Sequence, residues 1–211
     1  MDLNILREKA DYQLLNKQQI PDLLKLMYKL IKDNTTDIIA ANQLNSKMPI
    51  IAMRDKRKIN YYLCPRIIKI SDTSDIKMET DYSFRRMYAN IERLNRIEIM
   101  YMQFGESNNL EEFIKTCDTH NLKGVEPLMI EGIEARLFQK GCDYLDGIIF
   151  LDRAITDDIP DLTGKPIYRI FQSNGELDYF IPPDNITFFN QVKVNENQIE
   201  KCQIGVYTNE I

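Results

Sequence analysis

Histidine is almost missing from this chain of 211 residues: His120 is the only one. A site that takes two imidazoles from one chain is therefore excluded, and with it zinc-hydrolase arrangements of the HExxH and HExDH kind. His120 lies in the polar stretch Cys117-Asp118-Thr119-His120-Asn121 and reads as a surface residue. Long apolar runs are missing too. None approaches the ~18 residues that a membrane-spanning helix requires. The opening segment, MDLNILREKADYQ, has early acids and no apolar core, so neither a secretory signal nor a mitochondrial presequence is expected there. The four cysteines, Cys64, Cys117, Cys142 and Cys202, are scattered without a CxxC spacing. They read as reduced, packed thiols of an intracellular protein. An excess of positive charge is also lacking: 27 Lys and Arg stand against 32 Asp and Glu, a net charge of −5. That balance argues against a general nucleic-acid binder. The basic run Arg54-Asp55-Lys56-Arg57-Lys58 reads as a solvated hairpin turn. There are no internal repeats and no low-complexity tracts.

What is present suits one domain, with room for an appended subdomain. Apolar residues make up 44% of the chain, enough for a sizeable core. From Gln19 to Lys32 the apolar positions Leu23, Leu24, Met27, Leu30 and Ile31 fall at helical spacing, with Pro21 acceptable in the first turn. Pro49 to Met53 and Asn60 to Leu63 are apolar runs joined by the charged segment, which predicts a hairpin. Pro65 to Ile70 continues the strands. Arg96 to Phe104 alternates and predicts a strand. Asn109 to His120 predicts a short amphipathic helix. Glu131 to Leu145 predicts a second long helix, in which Gly141 costs on the order of 1 kcal/mol relative to Ala. Such a glycine reflects either close packing or the loss of a residue no longer used. Beyond Arg153, Ile167 to Phe171 and Glu176 to Ile181 flank Ser173-Asn174-Gly175, a hairpin signal. Ile186 to Val194 and Gln203 to Tyr207 are further strand candidates.

Three short motifs then stand in order along the chain. The first is Thr36-Asp37-Ile38-Ile39-Ala40-Ala41-Asn42-Gln43. The second is Glu79-Thr80-Asp81-Tyr82-Ser83, preceded by Cys64-Pro65-Arg66-Ile67-Ile68. The third is the helix segment QKGCDYLDGIIFLDR, Gln139 to Arg153, whose run-in carries Gly132, Ala135 and Arg136. Together they resemble the peptide deformylase family. Its helix reads roughly Q-H-E-x-D-H-L-x-G-x-x-F-x-D-R, and Gln139, Asp143, Leu145, Gly147, Phe150, Asp152 and Arg153 are in register with it. The first motif resembles G-x-G-L-A-A-x-Q through Ala40, Ala41 and Gln43, with both glycines replaced. The second resembles E-G-C-L-S through Glu79 and Ser83, and the strand before it resembles N-P-x-I-I. The likeness covers Gln19 to Arg153. Glu106 to Lys123 is longer than the family usually has, and the tail from Ala154 looks like strands where many members end in a helix.

The resemblance implies an α+β fold with antiparallel sheets around a central helix. Residues 1–153 are expected to form that domain, and residues 154–211 a β-rich C-terminal extension packed on it. In the family, one Cys and two His hold a divalent metal that activates a water. A Glu moves the proton, and a Gln with a backbone N–H stabilises the oxyanion. Here Lys140 and Tyr144 stand at the two histidine positions, Asp81 at the cysteine and Gly141 at the glutamate. Only Gln43 remains. No metal and no other cofactor is expected on these residues.

The degenerate positions are thus Gln43, Asp81, Lys140, Gly141, Asp143 and Tyr144. Asp143 reads as a buried structural carboxylate, and Tyr144 as filling space left by imidazole and metal. Lys140 and Tyr144, four apart, share a helical face. Asp81 should face Lys140 if the family geometry holds, as a salt bridge in place of the metal or as an altered catalytic pair. Gln43 either keeps an oxyanion role or holds its loop. The implied function is a pseudoenzyme: a structural or binding subunit of a larger assembly, with a ribosome-associated one suggested by the family's action on nascent chains. The alternatives are a peptide-binding module using the old substrate groove, by strand addition, and an enzyme with altered, metal-independent chemistry. A protein partner is expected, and neither a membrane nor direct sequence-specific nucleic acid.

Overall fold

The computed structural model describes residues 3–16, 18–33, 35–56, 58–104, 122–154, 167–171, 177–180, 199–202 and 204–206. The expected helix from Asn109 to His120 and the expected strand from Ile186 to Val194 lie outside the described residues. The chain divides into two units. The first comprises Met1–Asp75 and Arg93–Phe150, the second Ile76–Glu92 and Leu151–Ile211. Most of the expected extension from residue 154 onward lies outside the described residues.

The first unit is built on an antiparallel sheet. β1 (Ile38–Ala40), β2 (Ile50–Asp55), β3 (Lys58–Ile70), β6 (Arg96–Phe104) and β7 (Leu122–Gly124) lie side by side in that order, and β8 (Leu128–Glu131) also pairs with β6. The expected hairpin is β2 and β3, closed by the Asp55–Lys58 pair. Lys56 in its turn has φ +52°, the left-handed conformation that two-residue hairpin loops demand. β3 is interrupted where the pairing jumps from Leu63↔Met102 to Arg66↔Met100. Pro65 cannot donate to the ladder, and Cys64 before it has φ +48°. The irregularity sits where proline requires one.

Among the described residues of this unit are three α-helices. α1 (Leu3–Leu6) is a single turn, α2 spans Ile20–Lys32 and α3 spans Gly132–Leu145. α2 starts with Pro21 in its first turn and Asp22 beside it, and ends on Lys29 and Lys32, complementing the helix dipole. Its buried face is Ile20, Leu23, Leu24, Met27 and Ile31. Each such side chain contributes about 1.5–3 kcal/mol when fully buried. Arg54 of β2 secures the far end: Nη2 donates to the Ile31 carbonyl and Nε sits 2.9 Å from Asp37 Oδ1. α2 and α3 both pack on β1 and β2. Every residue of Ile38–Ala40 and of the run Ile50 to Met53 is buried, so both faces of these strands are covered.

The second unit holds two small antiparallel sheets. One has the order β12-β5-β4, from β4 (Ser74–Asp81), β5 (Phe84–Leu94) and β12 (Ile204–Val206); Ser74 and Asp75 at the start of β4, and Arg93 and Leu94 at the end of β5, belong to the first unit. The other has the order β10-β9-β11, from β9 (Ile167–Phe171), β10 (Leu177–Phe180) and β11 (Ile199–Cys202). β9, β10 and β12 fall on expected strands. β4, β5 and β11 are not expected from the sequence: β4 has only two apolar residues in alternation, Ile76 and Met78, and charged residues interrupt the pattern in β5 and β11.

Candidate functional site

The site is organised by α3. The chain enters it through Glu131, in extended backbone, and Gly132 at φ +64°, whose N–H donates to the Asn95 carbonyl at 2.8 Å. It leaves through a Schellman turn. Gly147 N–H donates to the Tyr144 carbonyl at 2.9 Å and Ile148 N–H to Asp143 at 2.8 Å. Gly147 has φ +75°, and a Cβ there would lie 2.3 Å from the Arg7 carbonyl oxygen. Glycine is required at that position on both counts.

Two polar residues one turn apart fasten α3 to the end of β5. The Gln139 amide donates to the Leu94 carbonyl at 2.8 Å and to the Ala135 carbonyl at 3.0 Å, and accepts the Leu94 N–H at 3.1 Å. Asp143 Oδ2 receives Arg93 Nη1 at 2.7 Å. Arg136 on the same helix is buried and donates to Asp75 Oδ1 at 2.7 Å. These partners, Arg93, Leu94 and Asp75, escaped the sequence reading. Nothing in a sequence marks which arginine on a distant strand meets a helix carboxylate.

Lys140, Gly141 and Tyr144 are all buried on α3. Gly141 abuts β1 and β2: a Cβ there would lie 2.8 and 2.9 Å from Ile51 Cδ1 and Cγ2, and 3.0 Å from Ile38 Cδ1. The Tyr144 carbonyl receives the Asn42 side-chain amide, which also reaches the Leu6 carbonyl at 3.4 Å. Gln43 Oε1 accepts the Ala40 N–H at 3.0 Å. Both polar residues at the end of the first motif therefore bond to backbone. Asp81 and Ser83 belong to the second unit. There Asp81 Oδ1 accepts the Ser83 N–H at 2.7 Å, which fixes the turn between β4 and β5. His120 lies outside the described residues.

Burial pushes the Cys142 thiol well up, reinforced by the carboxylates of Asp143 and Asp146 and opposed by Arg93. Burial also raises the Cys64 thiol, against the pull of Arg66. Neither is a thiolate nucleophile at neutral pH. Tyr12, whose hydroxyl donates to the Pro65 carbonyl at 3.2 Å, is pushed up to about 12, mainly by burial.

The family profile for polypeptide deformylases matches residues 1–158. The chain belongs to this family. It is 28% identical over 154 residues to a peptide deformylase of Desulforudis audaxviator, a match covering 72% of this chain and 88% of that protein. Its fold is similar to that of the peptide deformylase from Thermotoga maritima, with a TM-score of 0.59, 22% identity, and coverage of 72% of this chain and 91% of that one. The Plasmodium falciparum peptide deformylase matches at TM-score 0.59 and 21% identity, over 72% and 82% of the two chains.

A deformylase metal is a poor fit to the residues found here. At the two helix positions that the resemblance aligns with the family's histidines stand Lys140 and Tyr144, both buried and neither an imidazole. Gly141, which the resemblance aligns with the base, has no side chain, and isoleucines take the space beside it. Among the described residues, no group of three or more His, Cys, Asp or Glu is placed to hold a metal ion. No helix among them is long and apolar enough to cross a membrane.

Proposed function

We propose that this chain is a catalytically inactive member of the polypeptide deformylase family, kept as a structural or binding subunit of a larger assembly. The observation that carries the reading is Gly141. The position that would hold the catalytic carboxylate has no side chain, and Ile51 and Ile38 take the volume into which one would grow. Lys140 and Tyr144 provide no pair of imidazoles, and Gln43 Oε1 is engaged by the Ala40 N–H. Losing even one group that stabilises a transition state costs about 3–4 kcal/mol. Loss of the ligand set and the base together leaves no route for metal-assisted hydrolysis of a formyl group. A ribosome-associated partner is in keeping with the family's action on nascent chains, by analogy alone.

The test is native purification, followed by identification of co-purifying proteins, elemental analysis and an assay on formyl-Met peptides. The expected result is a stable partner, no stoichiometric zinc, iron or nickel, and no formate release. About one metal per chain together with turnover overturns the reading.

One observation favours a second reading, a peptide-binding module. Among the described residues β4 ends its sheet, with Ile76 and Met78 exposed. An edge strand of this kind accepts an added peptide strand. Saturable binding of short Met-led peptides, without a stable protein partner, would favour the module over the subunit.

A further inference from the structure

The side chains over Gly141 are arranged in a way that mere loss of a catalytic residue does not explain. Ile38 and Ile51 sit on neighbouring strands, where Ile38 pairs with Met53 and Ile51 with Ala40. Both are fully or almost fully buried, at 3% and 0% exposure. Both reach the same point on α3, so that a Cβ at 141 would meet three of their carbon atoms at 2.8 to 3.0 Å. Contacts under 3.0 Å are closer than real Cβ atoms approach. One of the atoms is Ile51 Cγ2, attached directly to the branched Cβ, so a rotation about the end of the side chain does not clear it. By the resemblance, Ile38 takes the place of the second glycine of the family's first motif.

We infer that bulk has been exchanged between helix and sheet: isoleucine has entered where the family pattern has glycine, and glycine where it has glutamate. Ile38 and Ile51 form a seal over the base of α3, and Gly141 is required by that seal. The old catalytic space is closed by core packing. The inference deepens the proposed function and rests on the same packing around Gly141, adding that the glycine is a requirement of that packing whatever the chain binds.

The seal makes an unusual prediction. Glycine to alanine inside a helix ordinarily stabilises, since glycine is the poorer helix former. Here Gly141→Ala should lower the thermal unfolding midpoint of the full chain by ~3 °C or more. In an Ile51→Ala background the same change should raise the midpoint, because the two nearest atoms are gone. Ile51→Val, which removes only Cδ1, is the milder second background and should relieve part of the loss. A gain in the native background overturns the seal. So does an equal loss in the native and Ile51→Val backgrounds, should Ile51→Ala not fold. Unfolding is read here without any activity assay, so this result and the metal and formate measurements stand or fall separately.

Discussion

Arg93 and Asp143 form an ion pair in the interior of the first unit, with Nη1 2.7 Å from Oδ2 and only 3% and 10% of the two side chains exposed. The pair ties the end of β5 to α3, one helical turn beyond the point where Gln139 grips the backbone of Leu94. Gln139 and Asp143, in register with the family motif by resemblance, thus serve the same mechanical purpose. They hold the helix in place whether or not the helix carries a metal.

Removing one partner of a buried pair strands the other charge in a poorly solvated place. Asp143→Ala is therefore expected to cost about 3–5 kcal/mol in urea unfolding. Replacing both partners by apolar residues, Asp143→Leu with Arg93→Met, should cost clearly less than the single change. A loss of under about 1 kcal/mol for Asp143→Ala would mean that the pair behaves as a solvent-screened surface bridge.

Much of this framework was legible in the sequence. Gln139, Asp143 and Gly147 survive in register because each answers a geometric demand: a backbone clamp, a buried counter-charge and a left-handed turn against Arg7. α2, α3 and the β2–β3 hairpin announced themselves by period and by charge. α1, β4 and β5 did not, because α1 is a single turn, β4 has only two apolar residues in alternation and charged residues interrupt β5. The packing around Gly141 was legible only as a choice between close contact and decay, since the two isoleucines that decide it come from separate strands. The clasp between the N-terminal segment and the end of α3 was not legible at all. There Ala10 N–H donates to the Leu145 carbonyl at 2.7 Å, and Asn42 reaches the Leu6 carbonyl. Backbone carbonyls are the acceptors in both, and any residue supplies one.

Cys64 makes the second prediction. Its φ of +48° is strained for an L residue with a side chain, at roughly 1–2 kcal/mol, and asparagine tolerates that region better. The strand motif of the family has asparagine at this position. Cys64→Asn should stabilise the chain by about 0.5–1 kcal/mol, a part of that strain. Cys64→Val should destabilise it, because a branched Cβ resists the left-handed region. The order Asn, Cys, Val in urea midpoints is the expected outcome. Valine matching or exceeding the native residue would show that the backbone at 64 carries no such strain.

Glu134, in the first turn of α3, gives a pH-dependent prediction. Burial raises its carboxyl above the ordinary range, the nearby Asp55 carboxylate adds to the rise, and Lys56 opposes it. A carboxyl whose folded pKa is raised binds its proton more readily in the native state than in the unfolded one. Its contribution to stability is full below the unfolded value, about 4.3, and is lost as pH rises through the folded value. At neutral pH the ionised side chain is then a net burden. Glu134→Gln cannot ionise, so it should stabilise the chain at pH 7, and the gain should fade as the pH falls through the raised folded value and be gone by about 4.3, the unfolded value. The side chain is partly solvated, which limits the gain to about 1 kcal/mol or less. The helix N-terminus pulls the other way, since it favours a negative charge by about 0.3–1 kcal/mol. Urea midpoints of both proteins measured across pH 4 to 8 weigh the two effects. A variant less stable than the native chain at pH 7 would show that the dipole outweighs burial and the repulsion from Asp55.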